Sequence, residues 1–473
     1  MQIWNMRMDA IASPPAGTIL RSETRQPRSA HVRAVRLSLP LLTIVLFWPI
    51  LTLIARQAVF FSGPARSSYA ILYGESRGSH LFLYLNYAIL GAFVMIGWPG
   101  VWLRLKQNLL LSATLALALS SVLWTSSIKI TAQMFIEISC CTLFACYLSI
   151  RMSTRRLMHI LMMIGAIASM LSIVFAIALP SYGIFAGYGT TAWEGICNHK
   201  NTLGVSSAYL LLLAFFAKDV PRLIRIAYAS SLVMLIALSQ SRGAWFYTLG
   251  TISFIVWMHC YRRVHRREAT LLVLITIVVI GLFVSLIAIY FPEIAVMVGK
   301  DATMSGRFRI YQEVLLAIQK KPLLGYGLGG FWFPGSLESQ RLALAIGWAN
   351  IGYSENGILE LALQIGIVGV IVVVSMILVA MRRGLRLLRT PFYTPRVGWF
   401  LSILFLALLT NIDAGWFLTS DNLDWLLIVI ACIGLNDEWR NANRFRDKLH
   451  VNRSFMWRWK LRHVPAATGE LHA

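Results

Sequence analysis

The sequence predicts an all-α, polytopic membrane protein with about twelve transmembrane helices and one large outer loop before the tenth. Two observations carry that prediction. Of the 473 residues, 58% are hydrophobic and only 13% are charged, about half the charged share of a soluble chain, and the mean hydropathy is +0.67. Long apolar stretches then recur along the chain, and the basic residues between them alternate from one side to the other.

In chain order, residues 1–36 are polar, with six arginines, and read as a disordered basic cytoplasmic tail that precedes the first apolar run; a cleavable signal peptide would not begin this way. Apolar stretches that satisfy the length of a membrane crossing fall at 37–55, 81–101, 108–124, 130–150, 157–179, 201–217, 222–239, 243–261 and 270–291, the first nine spans within 37–291. Three more, at 357–380, 398–416 and 420–435, complete the set within 357–435, and a basic cytoplasmic tail follows at 436–473. Between the ninth and tenth lies the large outer loop, 292–356. Its stretch Arg307–Lys320 places Phe308, Tyr311, Leu315 and Ile318 at helical spacing, which predicts a short amphipathic helix on the membrane surface. The six cysteines form no CxxC pair and lie mostly in apolar stretches, so neither a disulfide framework nor a zinc site is expected.

The formal net charge of +23 would suggest nucleic acid in a soluble chain. Assigned by side, it has another origin. The tails and inner loops hold 31 Lys and Arg against eight acids, which accounts for the entire excess. The spans and outer loops are neutral. The basic balance therefore describes topology and contact with anionic lipid, with both termini cytoplasmic and no nucleic-acid partner. On an outer face with no general positive bias, individual cations there call for their own account.

Four outer segments supply them: Trp193–Gly204 (WEGICNHKNTLG), Ser239–Ala244 (SQSRGA), a loop carrying Ser305-Gly306-Arg307 and Lys321–Trp332 (KPLLGYGLGGFW), and Gly352–Gly369 (GYSENGILELALQIGIVG). Lys200 either snorkels to the headgroups or binds an anion. Arg242 lies in a loop of a few residues between two apolar stretches, where an unpaired cation is costly. Arg307 and Arg309 open the amphipathic helix, Arg309 reading more simply as a solvated charge. Gly325–Gly330 satisfies GxGxxG, but no strand precedes it, so a dinucleotide site is not expected. Trp332, Trp348 and Tyr353 would stack on sugar faces or anchor at the interface. A cationic cluster of Lys200, Arg242, Arg307 and Arg309 on one membrane face suits a bulky anion, and a lipid-linked diphosphate is the natural class.

These segments resemble the O-antigen ligase / O-antigen polymerase family, nearest to its exopolysaccharide-polymerase members. The residues that carry the resemblance are His199-Lys200-Asn201 with Leu203-Gly204, Ser241-Arg242, Gly306-Arg307, Pro322–Gly327, Asn356-Gly357, Leu359-Glu360 and Gly366. The resemblance covers about residues 190–370. It implies an inner-membrane enzyme that transfers a glycan from undecaprenyl diphosphate to an acceptor on the periplasmic side, with inversion and without metal, nucleotide or other cofactor. It also implies two catalytic arginines, which fall on Arg242 and Arg307. The family histidine would directly precede Asn356, and that position here is Glu355, a departure that favours polymerase over ligase.

The expected site is therefore Arg242, Arg307 and Glu355 as catalytic residues, with His199, Lys200, Asn201, Arg309, Tyr326 and Asn356 binding substrate. The arginines and Lys200 would stabilise the departing diphosphate, and Glu355 or His199 would accept the acceptor proton. Expected partners are the lipid-linked glycan, an acceptor glycan, membrane lipids and a chain-length regulator. A transporter or flippase of lipid-linked oligosaccharide is the rival class. The chain shows no repeat between its halves of the kind many transporters have.

Overall fold

The structure is a computed structural model that describes residues 46–47, 49–54, 77–187, 190–289, 307–333, 335–347, 351–412, 414–415, 417–419 and 423–463. The expected tail 1–36, most of the first apolar stretch, the Ser305-Gly306 pair and Trp348 lie outside the described residues.

The described chain is almost wholly helical. The helices are α1 (Arg77–Ile96), α2 (Trp98–Gln107), α3 (Leu109–Ser120), α4 (Ile128–Arg151), α5 (Thr154–Ala178), the single turn α6 (Pro180–Gly183), α7 (Lys200–Phe216), α8 (Arg222–Leu238), α9 (Arg242–Arg263), α10 (Arg266–Ile289), α11 (Arg307–Lys320), α12 (Leu337–Ile346), α13 (Gly357–Leu387), α14 (Pro395–Thr410) and α15 (Leu423–His463). Their starts follow local chemistry. Ser153, His199, Ser241, Ser336 and Asn356 each cap a helix by accepting a backbone N–H, and Pro180 and Pro395 sit in first turns where their missing donor is harmless. Among the described residues, α4, α5 and α13 are long and apolar enough to cross a membrane, or four spans if the α1–α2 pair counts as one.

That pair departs from the expected straight stretch at 81–101. The chain bends by 85° between α1 and α2, at Gly97, whose missing side chain admits the Tyr147 ring: a Cβ there would lie 2.5 Å from it. Two further differences concern the ends and faces of helices. The expected tail from 436 continues α15 as helix to His463. The amphipathic helix has the expected bounds, but its protein-facing side is Ile310, Val314 and Ala317, with Phe308 and Leu315 more exposed, at 58% and 48%. Its packed face joins Tyr326, Phe331, Trp332, Leu342, Ile346, Ile351 and Leu363 in one apolar cluster, so the described part of the long loop has its own core.

Two features unite these parts. Helices α7, α9 and α14 pack together, as do α13, α14 and α15, around buried Trp399, Trp425, Tyr209 and Phe400. The glycine-rich segment after α11 then docks on a break in α13, where Gly366 adopts φ +68° and ψ −175°. Ile367 N–H donates to Pro322 O at 2.9 Å, Val368 N–H to Leu323 O at 3.3 Å and Tyr326 N–H to Leu363 O at 2.7 Å. These bonds satisfy the backbone groups that the break releases. The GxGxxG spacing therefore serves close backbone packing.

Candidate functional site

The bundle's polarity is set by contacts at its two ends. At one end Arg262 of α9 donates to Leu388 O and stacks on Tyr393 at 3.4 Å, beside the end of α13 and the start of α14. At the other, Gly357 N–H donates to Asn411 O, joining the start of α13 to the end of α14. Gly250, early in α9, meets Leu409, late in α14. The starts of α7, α9 and α13 therefore share one end, and the motif residues gather there.

The first group forms where α7 meets the α8–α9 turn. Gly204 lies one turn into α7, and a Cβ on it would come within 2.7 Å of the Ala244 side chain and 3.0 Å of Ser239 Oγ. This close approach brings Lys200, one turn earlier, next to Arg242. Ser239 Oγ accepts the Ser241 N–H at 3.3 Å and Ser241 Oγ accepts the Ala244 N–H at 3.4 Å, so the turn is fixed and Arg242 is the first residue of α9. Burial, then the charge of Arg242, pushes the Lys200 ammonium below its ordinary lysine range. Two cations at two helix N-termini, whose dipoles are also positive there, repel one another until an anion lies between them. His199 caps α7: its Nδ1 accepts the Asn201 N–H at 3.1 Å. Asn201 is half-buried one residue after Lys200.

A hairpin that the sequence did not lead us to expect covers this group. Strands β1 (Ile184–Gly187) and β2 (Thr190–Trp193) pair antiparallel. Phe185 of β1 receives the His199 ring edge-on at 5.0 Å and Lys200 Nζ at 5.2 Å. Gln240 Nε2 donates to Thr191 O at 2.9 Å, fastening β2 to the turn that presents Arg242.

The second group lies at the start of α13. Arg307 Nη2 meets Glu355 Oε2 at 2.8 Å, the two side chains only 18% and 20% exposed. Glu355 takes a left-handed φ of +55°, and its carbonyl accepts the Tyr311 hydroxyl at 3.1 Å. Asn356 caps α13 through Oδ1, accepting from Ile358 and Leu359 at 3.0 Å, and its Nδ2 donates to Ile412 O at 2.7 Å. Beneath this turn the buried Glu360 carboxylate accepts from Trp332 Nε1 at 2.9 Å, Ser354 N–H at 2.8 Å and Gln364 Nε2 at 2.6 Å.

Several expected roles change accordingly. Glu355 is held in an ion pair by Arg307. Asn356 acts on backbone, as a cap and a tether. Arg309 is exposed on α11, as a solvated charge would be. Trp332 is buried against Glu360, which leaves its face neither for a sugar nor for the membrane interface. Tyr326 is a correction to the substrate-binding set: its ring is 3% exposed and its hydroxyl donates to Ala317 O at 2.9 Å. Tyr326→Phe is expected to lower stability by about 1–3 kcal/mol, the cost of a buried acceptor left unpaired, while donor affinity stays unchanged; thermal melting and a binding assay check the two halves. A cavity of about 560 Å³ between α5 and α8, lined by His159, Asp219, Tyr228 and Ser231 among others, opens toward the opposite end and takes no part in these groups.

Comparison with known proteins bears on the same residues. Positions 226–374 match the family described as O-Antigen ligase, a stretch that contains Arg242, Arg307, Glu355 and Asn356. A relative, the exopolysaccharide production protein ExoQ of Rhizobium meliloti (strain 1021), is 24% identical over 328 residues, covering 63% of this chain and 73% of that protein. The chain is O-antigen ligase/polymerase-like. With its long apolar helices, this likeness makes it a multi-pass membrane protein. The match to the O-antigen ligase family begins after Lys200, so the contact of α7 with the α8–α9 turn is what ties His199-Lys200-Asn201 to the matched stretch.

Proposed function

We propose that this protein is a polysaccharide polymerase. It takes a glycan linked to undecaprenyl diphosphate and transfers it to a sugar hydroxyl of an acceptor repeat unit, on the periplasmic face of the bacterial inner membrane. The chain crosses that membrane about twelve times, with both termini cytoplasmic and 292–356 on the periplasmic side. The observation that supports this reading best is the Lys200–Arg242 pair, two cations held together by the Gly204 contact at the end of the bundle where Arg307 also lies. A diphosphate fits it because it carries enough charge to neutralise both, and arginine binds phosphate oxygens in bidentate fashion.

The reaction is an inverting, metal-independent displacement. The acceptor hydroxyl oxygen attacks the anomeric carbon, and the bond from that carbon to the phosphate oxygen breaks, its electron pair leaving on the diphosphate. Arg242, Arg307 and Lys200 stabilise the charge that grows there. Glu355 holds the Arg307 guanidinium in position.

Polymerase is preferred to ligase because Glu355 stands where the resemblance would place a histidine, and because the relative's name concerns exopolysaccharide production. Ligase remains the second reading, favoured by the description of the matched family. A deletion strain separates them. The expected result is accumulation of single repeat units on the lipid carrier at the periplasmic face. Finished chains retained on the carrier would indicate a ligase, and units trapped inside a flippase.

A further inference from the structure

We infer that Glu360 is a positioning residue, whose buried carboxylate sets the geometry in which Glu355 presents Arg307 to the departing diphosphate. This rests on the glycosyl-transfer reading above and deepens it.

The carboxylate grips both sides of the Arg307–Glu355 pair. On the Glu355 side, Glu360 Oε2 accepts the Ser354 N–H at 2.8 Å, and Ser354 Oγ donates to Asn356 O at 2.8 Å. Glu355 is therefore flanked by two anchored residues, since Asn356 is itself fixed as the cap of α13 and by its bond to Ile412 O. On the Arg307 side, Trp332 Nε1 donates to Glu360 Oε1 at 2.9 Å and reaches Oε2 at 3.2 Å. The Trp332 ring lies in the same apolar cluster as Ile310 and Val314 of α11, the helix that Arg307 opens. One side chain thus ties the turn carrying Glu355 to the helix carrying Arg307, and the pair closes at 2.8 Å between them.

Two features argue that this arrangement serves geometry. Glu360 is only 4% exposed, and a buried carboxylate is unfavourable unless hydrogen bonds satisfy it, so its bonds chiefly offset its own desolvation. A well-packed apolar side chain would fill the same space without that penalty. Glu355 also holds a φ of +55°, a left-handed conformation unfavourable for a residue with a side chain. Such a conformation persists only where the neighbouring structure holds it, and the anchors on Ser354 and Asn356 do so.

The carboxylate is matched to its donors. Oε1 accepts Gln364 Nε2 at 2.6 Å as well as Trp332 Nε1. Alanine at 360 leaves Ser354 N–H, Trp332 Nε1 and Gln364 Nε2 without this acceptor. Glutamine keeps an oxygen for the Ser354 N–H, and its amide can donate to Gln364 once the Gln364 amide turns over. Without the anchor, the Arg307 guanidinium shifts from its place. Donor binding is then largely kept, while the charge that grows on the diphosphate in the transition state is less well met.

The test uses the full-length protein in proteoliposomes with labelled lipid-linked repeat units extracted from the deletion strain. Initial polymerisation rates, normalised to folded protein, are measured at varied donor concentration. Glu360→Ala should lower the maximal rate about 100-fold, as a misplacement of about 1 Å can, with the donor KM little changed, and Glu360→Gln should restore most of the rate. In an Arg307→Lys background the same alanine substitution should cost at most about fivefold, because the two residues act as a unit. Should Glu360→Ala fail to fold, Trp332→Phe keeps the ring and removes only the Nε1 bond; it should lower the rate less, with the same loss of additivity. A folded variant with the wild-type rate, or with an equal loss in both backgrounds, would overturn the proposal while leaving glycosyl transfer standing. No polymer from the wild-type protein would overturn both.

Discussion

Arg242→Ala and Arg307→Ala are each expected to abolish long-chain polysaccharide and to leave lipid-linked repeat units unextended. Removing one donor aimed at developing charge typically lowers a rate by about 10²–10³, and chain length compounds the loss at every addition. Arg→Lys at either position keeps the charge but not the two-pronged geometry, so short chains should persist. Lys200→Ala should be milder, because Arg242 continues to supply charge beside the same helix N-terminus. The Arg307 variant has a second possible cause of failure, since it strips Glu355 of its partner at 2.8 Å. An Arg307→Ala/Glu355→Ala double variant separates the two, because a structural loss would recover in the double and a catalytic loss would not. The measurement is polysaccharide length by gel, alongside protein level in the membrane. Wild-type lengths in either arginine variant at normal level would sink the assignment.

Much of the helical frame was legible, for a physical reason: an apolar run long enough to cross a bilayer has few other fates. What escaped depends on contacts between distant positions. The bend at Gly97 depends on Tyr147, fifty residues away. The hairpin's two strands are only four residues each, too short for a pattern of period two, and it is Phe185 on Lys200 and Gln240 on Thr191 that give it a place. Helix α15 outran the expected boundary because polarity at 436 ends an apolar stretch without ending a helix; Asn436–Leu449 contains neither glycine nor proline. The same distinction holds in the site. Arginines in unusual company could be singled out, but the Arg307–Glu355 pair spans a loop, so Glu355 read as a free base. Trp332 and Tyr326 read as ligand-facing aromatics because nothing local reveals Glu360 and Ala317 as their partners.

Gly366→Ala is expected to be the most destabilising of the single substitutions considered, and the comparison that proves the mechanism is Gly347→Ala. Both glycines have positive φ, +68° and +74°. They differ in what stands around them. Gly347 ends α12 with nothing within 4 Å of a Cβ, so alanine there meets only the left-handed backbone penalty, about 1–2 kcal/mol. Gly366 has ψ −175°, a conformation essentially restricted to glycine, which adds about 1–3 kcal/mol. A Cβ on it would also collide with the Leu323 carbonyl, so the docked segment must move. Moving it breaks the bonds from Ile367, Val368 and Tyr326, each contributing about 0.5–1.5 kcal/mol. Gly325→Ala attacks the same interface from the other side, since its Cβ would lie 2.5 Å from Leu363 O. Thermal melting of detergent-extracted protein should therefore rank wild type above Gly347→Ala, and Gly347→Ala well above Gly366→Ala and Gly325→Ala. Equal melting of the Gly347 and Gly366 variants would mean that the docking does not hold the long loop. Function should follow the same order, because that segment packs against α11, whose first residue is Arg307, and displacing it shifts the arginine that the proposed diphosphate site requires.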